Sequence, residues 1–274
     1  MSATPQTVVA SDLDRTLIYS ASAAGGAEAV ADARCVELYD GQPLSYVSAA
    51  AATAIAGLLD AGALVPVTTR TVAQFQRITL PGRAARFAVC ANGGRLLVDG
   101  ADDLDHRAHV TAVLAECAPL AEATAAFGRW CGEVATPDVG GAPRERDAEG
   151  LFCYAVFAVR APDTAEIDRL GALMADLGWV VSAQGRKVYC TPRTLSKESA
   201  LSYLGEVHRL TVAAVAGDSL LDAGMLARYG GWVPRDSELE RRGFAAPGVA
   251  LTAGSGLAAG EEILGRFGAL VHRR

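Results

Sequence analysis

No apolar run in this sequence approaches the length of a membrane span. The stretch at Val8 is too short for the core of a secretion signal, and it leads straight into acidic residues. Basic charge is not in excess: 25 Lys and Arg stand against 31 Asp and Glu, a net charge of −6. That balance argues against a broad nucleic-acid footprint, which needs a basic stripe. The six cysteines (Cys35, Cys90, Cys117, Cys131, Cys153 and Cys190) contain no CxxC pair. Several fall inside apolar runs, where a free thiol behaves as a small hydrophobe, so neither zinc ligation nor a disulfide framework is expected. Internal repeats and extended low-complexity segments are also missing. These absences predict a soluble, cytoplasmic protein with no nucleic-acid partner and no membrane.

What the chain does have is hydrophobic material, 51% of 274 residues, enough for one large domain or two modest ones. Four short apolar runs each stop at a polar cluster. Val8–Ala10 leads into Ser11-Asp12-Leu13-Asp14-Arg15-Thr16, and Leu64–Val67 into Thr68-Thr69-Arg70. Phe87–Cys90 leads into Ala91-Asn92-Gly93-Gly94, and Val212–Ala216 into Gly217-Asp218-Ser219-Leu220-Leu221-Asp222. Short apolar runs between turn-like segments read as buried parallel strands. Ligands of open α/β sheets bind outside the carboxyl ends of such strands.

Helical patterns alternate with these runs. Ser45 is expected to cap a helix reaching Asp60, with Val47, Ala51, Ile55 and Leu58 on its apolar stripe. A second helix is expected over 71–78, and the Ala/Gly/Ser-rich patch at 20–27 reads as a loop. Pro66 is awkward inside a central strand. From 101 to 188 the pattern changes to helix, strand, helix, strand, strand, including a helical repeat at 110–121 and a capping box at Asp163 and Glu166. Alternation then resumes, with a helix from Ser196 and a strand at 212–216. The expected architecture is α/β: a doubly wound, Rossmann-like parallel sheet formed by 1–100 and 189–274, with an α+β cap domain inserted at 101–188.

The strand ends carry consistent chemistry. Asp12 and Asp14 lie two apart, and two carboxylates this close repel unless a cation or a proton separates them. Asp218 and Asp222 are four apart, on one face of a strand-to-helix turn. Acids gathered in one cleft call for a hard cation, and a few oxygen ligands favour Mg²⁺. Thr68 adds a hydroxyl, and Lys197 adds a fixed positive charge at a helix start, where backbone N–H groups also favour phosphate. Taken singly, each element reads as a turn or a helix cap, and Asn-Gly-Gly at 92–94 as a hairpin turn. Their joint order is what carries information.

In that order the residues resemble the haloacid dehalogenase-like (HAD) superfamily of phosphohydrolases. Its first motif, hhhhDxDxT, is matched by Asp12, Asp14 and Thr16. Its strand ending in Thr or Ser is matched by Thr68, its Lys by Lys197, and its GDxxxD by Gly217, Asp218 and Asp222. The segments at 91–94, 197–201 and 217–219 resemble the Cof-type, sucrose-phosphate-phosphatase-like branch, which places an α/β cap between the second and third motifs. Three positions depart from the pattern: Arg15 and Thr69 stand where glycine is common, and Leu221 where Asn is common.

The resemblance implies a Mg²⁺-dependent phosphatase acting on a small phosphorylated metabolite, a sugar or polyol phosphate, with the protein a monomer or homodimer. Asp12 would be the nucleophile that becomes an aspartyl-phosphate, and Asp14 the acid and base. Thr68 and Lys197 would hold the phosphoryl oxygens. Thr16, Thr69, Arg70, Asn92 and Gly93 would complete phosphate and substrate binding. Asp12, the Asp14 carbonyl, Asp218 and Asp222 would hold the metal. The alternatives are a phosphotransferase or mutase on the same core, and a non-catalytic phosphate-binding or signalling protein.

Overall fold

The computed structural model describes residues 5–271, so the outermost residues of the expected core segments, 1–4 and 272–274, lie outside it. The chain begins with β1 (Gln6–Ser11), a four-residue helix α1 (Ala21–Ala24), β2 (Arg34–Tyr39), β3 (Gln42–Val47), α2 (Ala49–Asp60), β4 (Leu64–Pro66), α3 (Val72–Phe75), β5 (Phe87–Cys90), β6 (Arg95–Val98) and β7 (Ala101–Asp102). It continues through α4 (Leu104–Leu114), α5 (Leu120–Glu133), β8 (Arg144–Ala148), β9 (Phe152–Val156), α6 (Thr164–Ala175), β10 (Trp179–Gln184) and β11 (Lys187–Pro192). It closes with α7 (Lys197–Val207), β12 (Leu210–Ala216), α8 (Ala223–Tyr229), β13 (Gly231–Arg235), α9 (Glu238–Arg241), β14 (Val249–Ser255) and α10 (Gly256–Val271). No helix among the described residues is long and apolar enough to cross a membrane.

Contacts divide the chain into two units, one ending at Leu104 and resuming at Lys197, the other running from Asp105 to Ser196. The first is built on a parallel sheet in the order β14-β13-β12-β1-β4. β5 extends it through a parallel bridge between Val67 and Val89. Strand alternation sends successive β1 side chains to opposite faces. Val9 joins Leu58, Ile263 and Phe267 beneath α2 and α10, while Val8 and Ala10 join Leu201, Leu204 and Leu226 beneath α7 and α8. Both faces are therefore apolar and covered by helices, which makes the core doubly wound as expected. The second unit carries an antiparallel sheet, β10-β11-β9-β8, with β8 as a charged edge strand.

Several expected boundaries move, each for a physical reason. Ser48, not Ser45, caps α2, its hydroxyl accepting from the Ala51 N–H at 3.1 Å. Ser45 and Val47 lie in β3, because Tyr46 exchanges backbone hydrogen bonds with Tyr19 at 2.8 and 3.0 Å and holds the segment extended. The patch at 20–27 contains α1, capped by Ser20. The expected helix at 71–78 shortens to Val72–Phe75 under a Thr71–Gln74 capping box. The helical repeat at 110–121 splits into α4 and α5 at Pro119, which cannot continue a helix. Pro66 is tolerated because Val67, the next residue, donates toward β1, which turns the ring nitrogen of Pro66 toward β5. Pairing with β5 begins only at Thr68 N–H, 2.8 Å from Val89 O, so no bond is lost.

Candidate active site

The Asp12 N–H donates to Ala216 O at 2.9 Å, tying the end of β1 to that of β12. This brings the Asp12 cluster and the Gly217–Asp222 segment together at the carboxyl edge. Asp12 is buried, and Thr16 Oγ1 reaches its Oδ2 at 3.3 Å. The turn that follows is tight: Leu13 O accepts from the N–H groups of Thr16, Leu17 and Ile18. Arg15 sits in it at φ +62°, which explains why a glycine suits this position.

Lys197, the first residue of α7, is completely buried. Its Nζ donates to Asp12 Oδ1 at 2.6 Å and to Asp222 Oδ1 at 2.5 Å. The other Asp222 oxygen accepts from Asp218 N–H at 3.0 Å and from the Ser219 N–H and hydroxyl, both at 2.9 Å. Gly217 has no room for a side chain, since a Cβ there would clash with the side chain of Asp222. Burial opposes the Lys197 charge, but the two carboxylates outweigh it and raise its pKa. Burial pushes the Asp12 carboxyl up to about 7, against the pull of Lys197 and with the repulsion of Asp222 and Asp14. One ammonium between two buried carboxylates leaves the cluster one positive charge short.

That shortfall is where a cation fits. Carboxylate oxygens of Asp12, Asp218 and Asp222 lie within 4.8 Å of one another, all three residues buried. A hard, oxygen-only donor set of this size suits Mg²⁺. Within it Asp222 is the most committed, with one oxygen on Lys197 and the other on three donors.

Thr68 is fully buried at the end of β4, its Oγ1 accepting from Arg70 N–H at 3.1 Å. Thr69 is half-buried beside it. The ends of β4 and β5 are zipped together: Ala91 N–H donates to Arg70 O at 2.7 Å and Asn92 N–H to Thr68 O at 3.0 Å. Asn92 and Gly93, both buried and both at positive φ, therefore stand next to Thr68, in a turn that also joins the antiparallel pair β5–β6. The hairpin reading and the binding-site reading of this segment are compatible.

Asp14 and Arg70 take an arrangement the motifs did not foresee. Arg70, expected at the phosphate, directs Nε and Nη2 to the two Asp14 oxygens at 2.7 and 2.8 Å. On its other side Nη1 and Nη2 reach Glu37 at 2.7 and 2.9 Å. Glu37 also accepts from Ser45 Oγ at 2.6 Å and from Arg77 Nη2 at 3.3 Å. Burial alone would raise the Glu37 carboxyl, but the hydrogen bonds of Arg70 and Ser45 and the charge of Arg70 hold it below the ordinary value of 4.5. Sequence reasoning missed Glu37 because it lies in a strand outside any motif. The available signal was an acid between the apolar residues Val36 and Leu38.

No family model and no curated protein sequence matches the chain. Solved structures do match, along nearly all of it. The sucrose-phosphatase of Synechocystis, solved with sucrose and phosphate, is 14% identical with a TM-score of 0.62, over 97% of this chain and 99% of that one. A phosphatase of the HAD superfamily from Bacteroides thetaiotaomicron is 16% identical at a TM-score of 0.54, over 97% and 96%. A sugar phosphatase of HAD subclass IIB is 10% identical at 0.55, over 97% and 98%. At these identities the likeness is one of fold. The chain shares the fold of these structures, a parallel core with an inserted α/β unit, which is the architecture the motif resemblance implied.

Proposed function

We propose that the protein is a Mg²⁺-dependent phosphomonoester hydrolase acting on a small phosphorylated metabolite, a sugar or polyol phosphate, through an aspartyl-phosphate on Asp12. The observation that carries this reading is the placement of Asp12. It is buried, held by Lys197 at 2.6 Å and Thr16 at 3.3 Å, and shares a cation-sized cluster with Asp218. A carboxylate oriented this way, beside a fixed ammonium, is equipped to be a nucleophile. The sugar-phosphatase names among the fold neighbours point to the same substrate class.

Asp12 and Asp218, with the Asp14 carbonyl, would hold the ion, and Asp222 would orient it while anchoring Lys197. When bound, Mg²⁺ supplies positive charge against the phosphoryl oxygens and the Asp12 carboxylate. The chain's own groups do the rest. An Asp12 oxygen forms a bond to phosphorus as the ester P–O bond breaks, and Asp14 gives its proton to the departing alkoxide. Lys197, the Thr68 hydroxyl and the backbone around Asn92 face the phosphoryl oxygens, where the transition state spreads its charge. Water then attacks the acyl-phosphate, Asp14 takes the proton back, and inorganic phosphate leaves with Asp12 restored.

The test is release of inorganic phosphate from a panel of phosphomonoesters with added Mg²⁺. The wild type should turn over at least one sugar or polyol phosphate, and Asp12→Asn should lower that rate by about 10³-fold or more. An active Asp12→Asn protein would remove the nucleophile, and transfer of the phosphoryl group to a sugar acceptor in place of water would make the enzyme a transferase.

A further inference from the structure

Every N–H of the Arg70 guanidinium is engaged. Nε and one Nη2 hydrogen lie on Asp14, one Nη1 hydrogen and the second Nη2 hydrogen lie on Glu37, and the last Nη1 hydrogen faces Gln74 O at 3.4 Å. One guanidinium thus makes two paired contacts with carboxylates on adjacent edges, sharing Nη2, a geometry only Arg provides. The two carboxylates differ in setting. The Asp14 side chain is 38% exposed, whereas that of Glu37 is completely buried. Glu37 is held in its backbone as well, by a bridge to Ile78 and by its pairing with Ser45 across the β2–β3 hairpin.

This asymmetry matters for the proton that Asp14 must carry. An Asp14 with both oxygens on a guanidinium is arranged as a carboxylate, the form that activates water. To protonate a leaving alkoxide, at least one oxygen has to come away from Arg70. If Asp14 were the only acid on Arg70, that release would leave a partly buried guanidinium without its partner, which is costly. Glu37 removes this cost, because it keeps two hydrogen bonds to Arg70 whether or not Asp14 is attached.

Resting on the hydrolase reading above, we propose that Glu37 is a positioning residue for proton delivery: it anchors Arg70 so that Asp14 alternates between an Arg70-bound base and a released acid. The blander account is a structural ion pair that pins the hairpin. The two differ in one observable, sensitivity to the leaving group. When the P–O bond of an alkyl phosphate breaks, the alkoxide needs the Asp14 proton in the same step. An aryl phosphate with an electron-withdrawing ring leaves as a stable aryloxide and needs it little. The ratio kcat/KM covers only the steps through the first bond cleavage, so it isolates this proton transfer from the later attack of water.

The experiment compares kcat/KM for a polyol phosphate and for nitrophenyl phosphate in the wild type and in Glu37→Gln. The proposal expects the alkyl ester to lose about ten- to a hundredfold more than the aryl ester, within the range of a misplaced general acid. Ser45→Ala, which removes the Glu37 hydroxyl partner and leaves its charge in place, should shift the ratio in the same direction by less. That variant serves if Glu37→Gln does not fold. Equal losses on both esters, or no loss, in whichever variant folds would overturn the proposal and leave Glu37 as a hairpin pin. A wild type that releases phosphate from no member of the phosphomonoester panel with Mg²⁺ present would overturn the hydrolase reading itself; the alkyl ester compared here is one that the panel shows to be turned over.

Discussion

Lys197 is one of only two lysines in 274 residues, and it is buried between two acids at 2.6 and 2.5 Å. Removing one partner of such a cluster leaves an uncompensated buried charge. Lys197→Met should therefore cost about 3–5 kcal/mol of stability without divalent cation. Added Mg²⁺ should restore part of the loss, read as a larger rise in Tm than the wild type shows. If Mg²⁺ moves neither protein's Tm, the cation assignment fails. Gly217→Ala clashes with the Asp222 side chain and should destabilise by about 1–3 kcal/mol through overpacking, which denaturant unfolding would measure. Glu37 sets a pH dependence of stability. Its folded pKa lies below the unfolded value of 4.5, so its contribution is present above that pH and is lost as pH falls through the folded value. Wild-type Tm should drop more steeply than that of Glu37→Gln as the solution is acidified below about 4.5; parallel curves would contradict the ion-pair account. At this scale motif spacing singles out Asp12, Asp14, Thr68, Lys197 and Asp218 as candidates, because each motif is local in the chain. It did not expose Glu37, whose role comes from a contact with Arg70 across 33 positions of chain.

Among elements, α2 shows what periodicity can and cannot settle. Its apolar stripe marks the helix, but two serines three residues apart both offer a cap. The tertiary bridge between Tyr19 and Tyr46 decides for Ser48. Ser48→Ala should thus cost about 1 kcal/mol by loss of the cap, without loss of activity. Ser45→Ala should disturb the Glu37 network instead, so its kinetic cost should exceed its stability cost. A reversed pattern in unfolding and turnover measurements would contradict the assignment. β6 and β7 escaped notice because they are short and follow a segment that reads locally as a turn. β8 escaped because an exposed, charged edge strand has no apolar alternation to see.

For the molecule as a whole, the doubly wound core was legible from four apolar runs ending in polar clusters. Parallel strands buried on both faces must be continuous in hydrophobicity, and their carboxyl ends must carry the chemistry. The central claim is that Asp12 is the atom donor to phosphorus. It is tested most directly by acid-quenching a reaction of the Asp14→Asn variant with Mg²⁺ and nitrophenyl phosphate, then mapping the peptides by mass. Asp14→Asn weakens the activation of water while the aryloxide still leaves, so a phosphoryl group should accumulate on Asp12 in the peptide spanning β1. Phosphate released with no phosphoryl group ever on the protein, or one found on a different residue, would contradict the account.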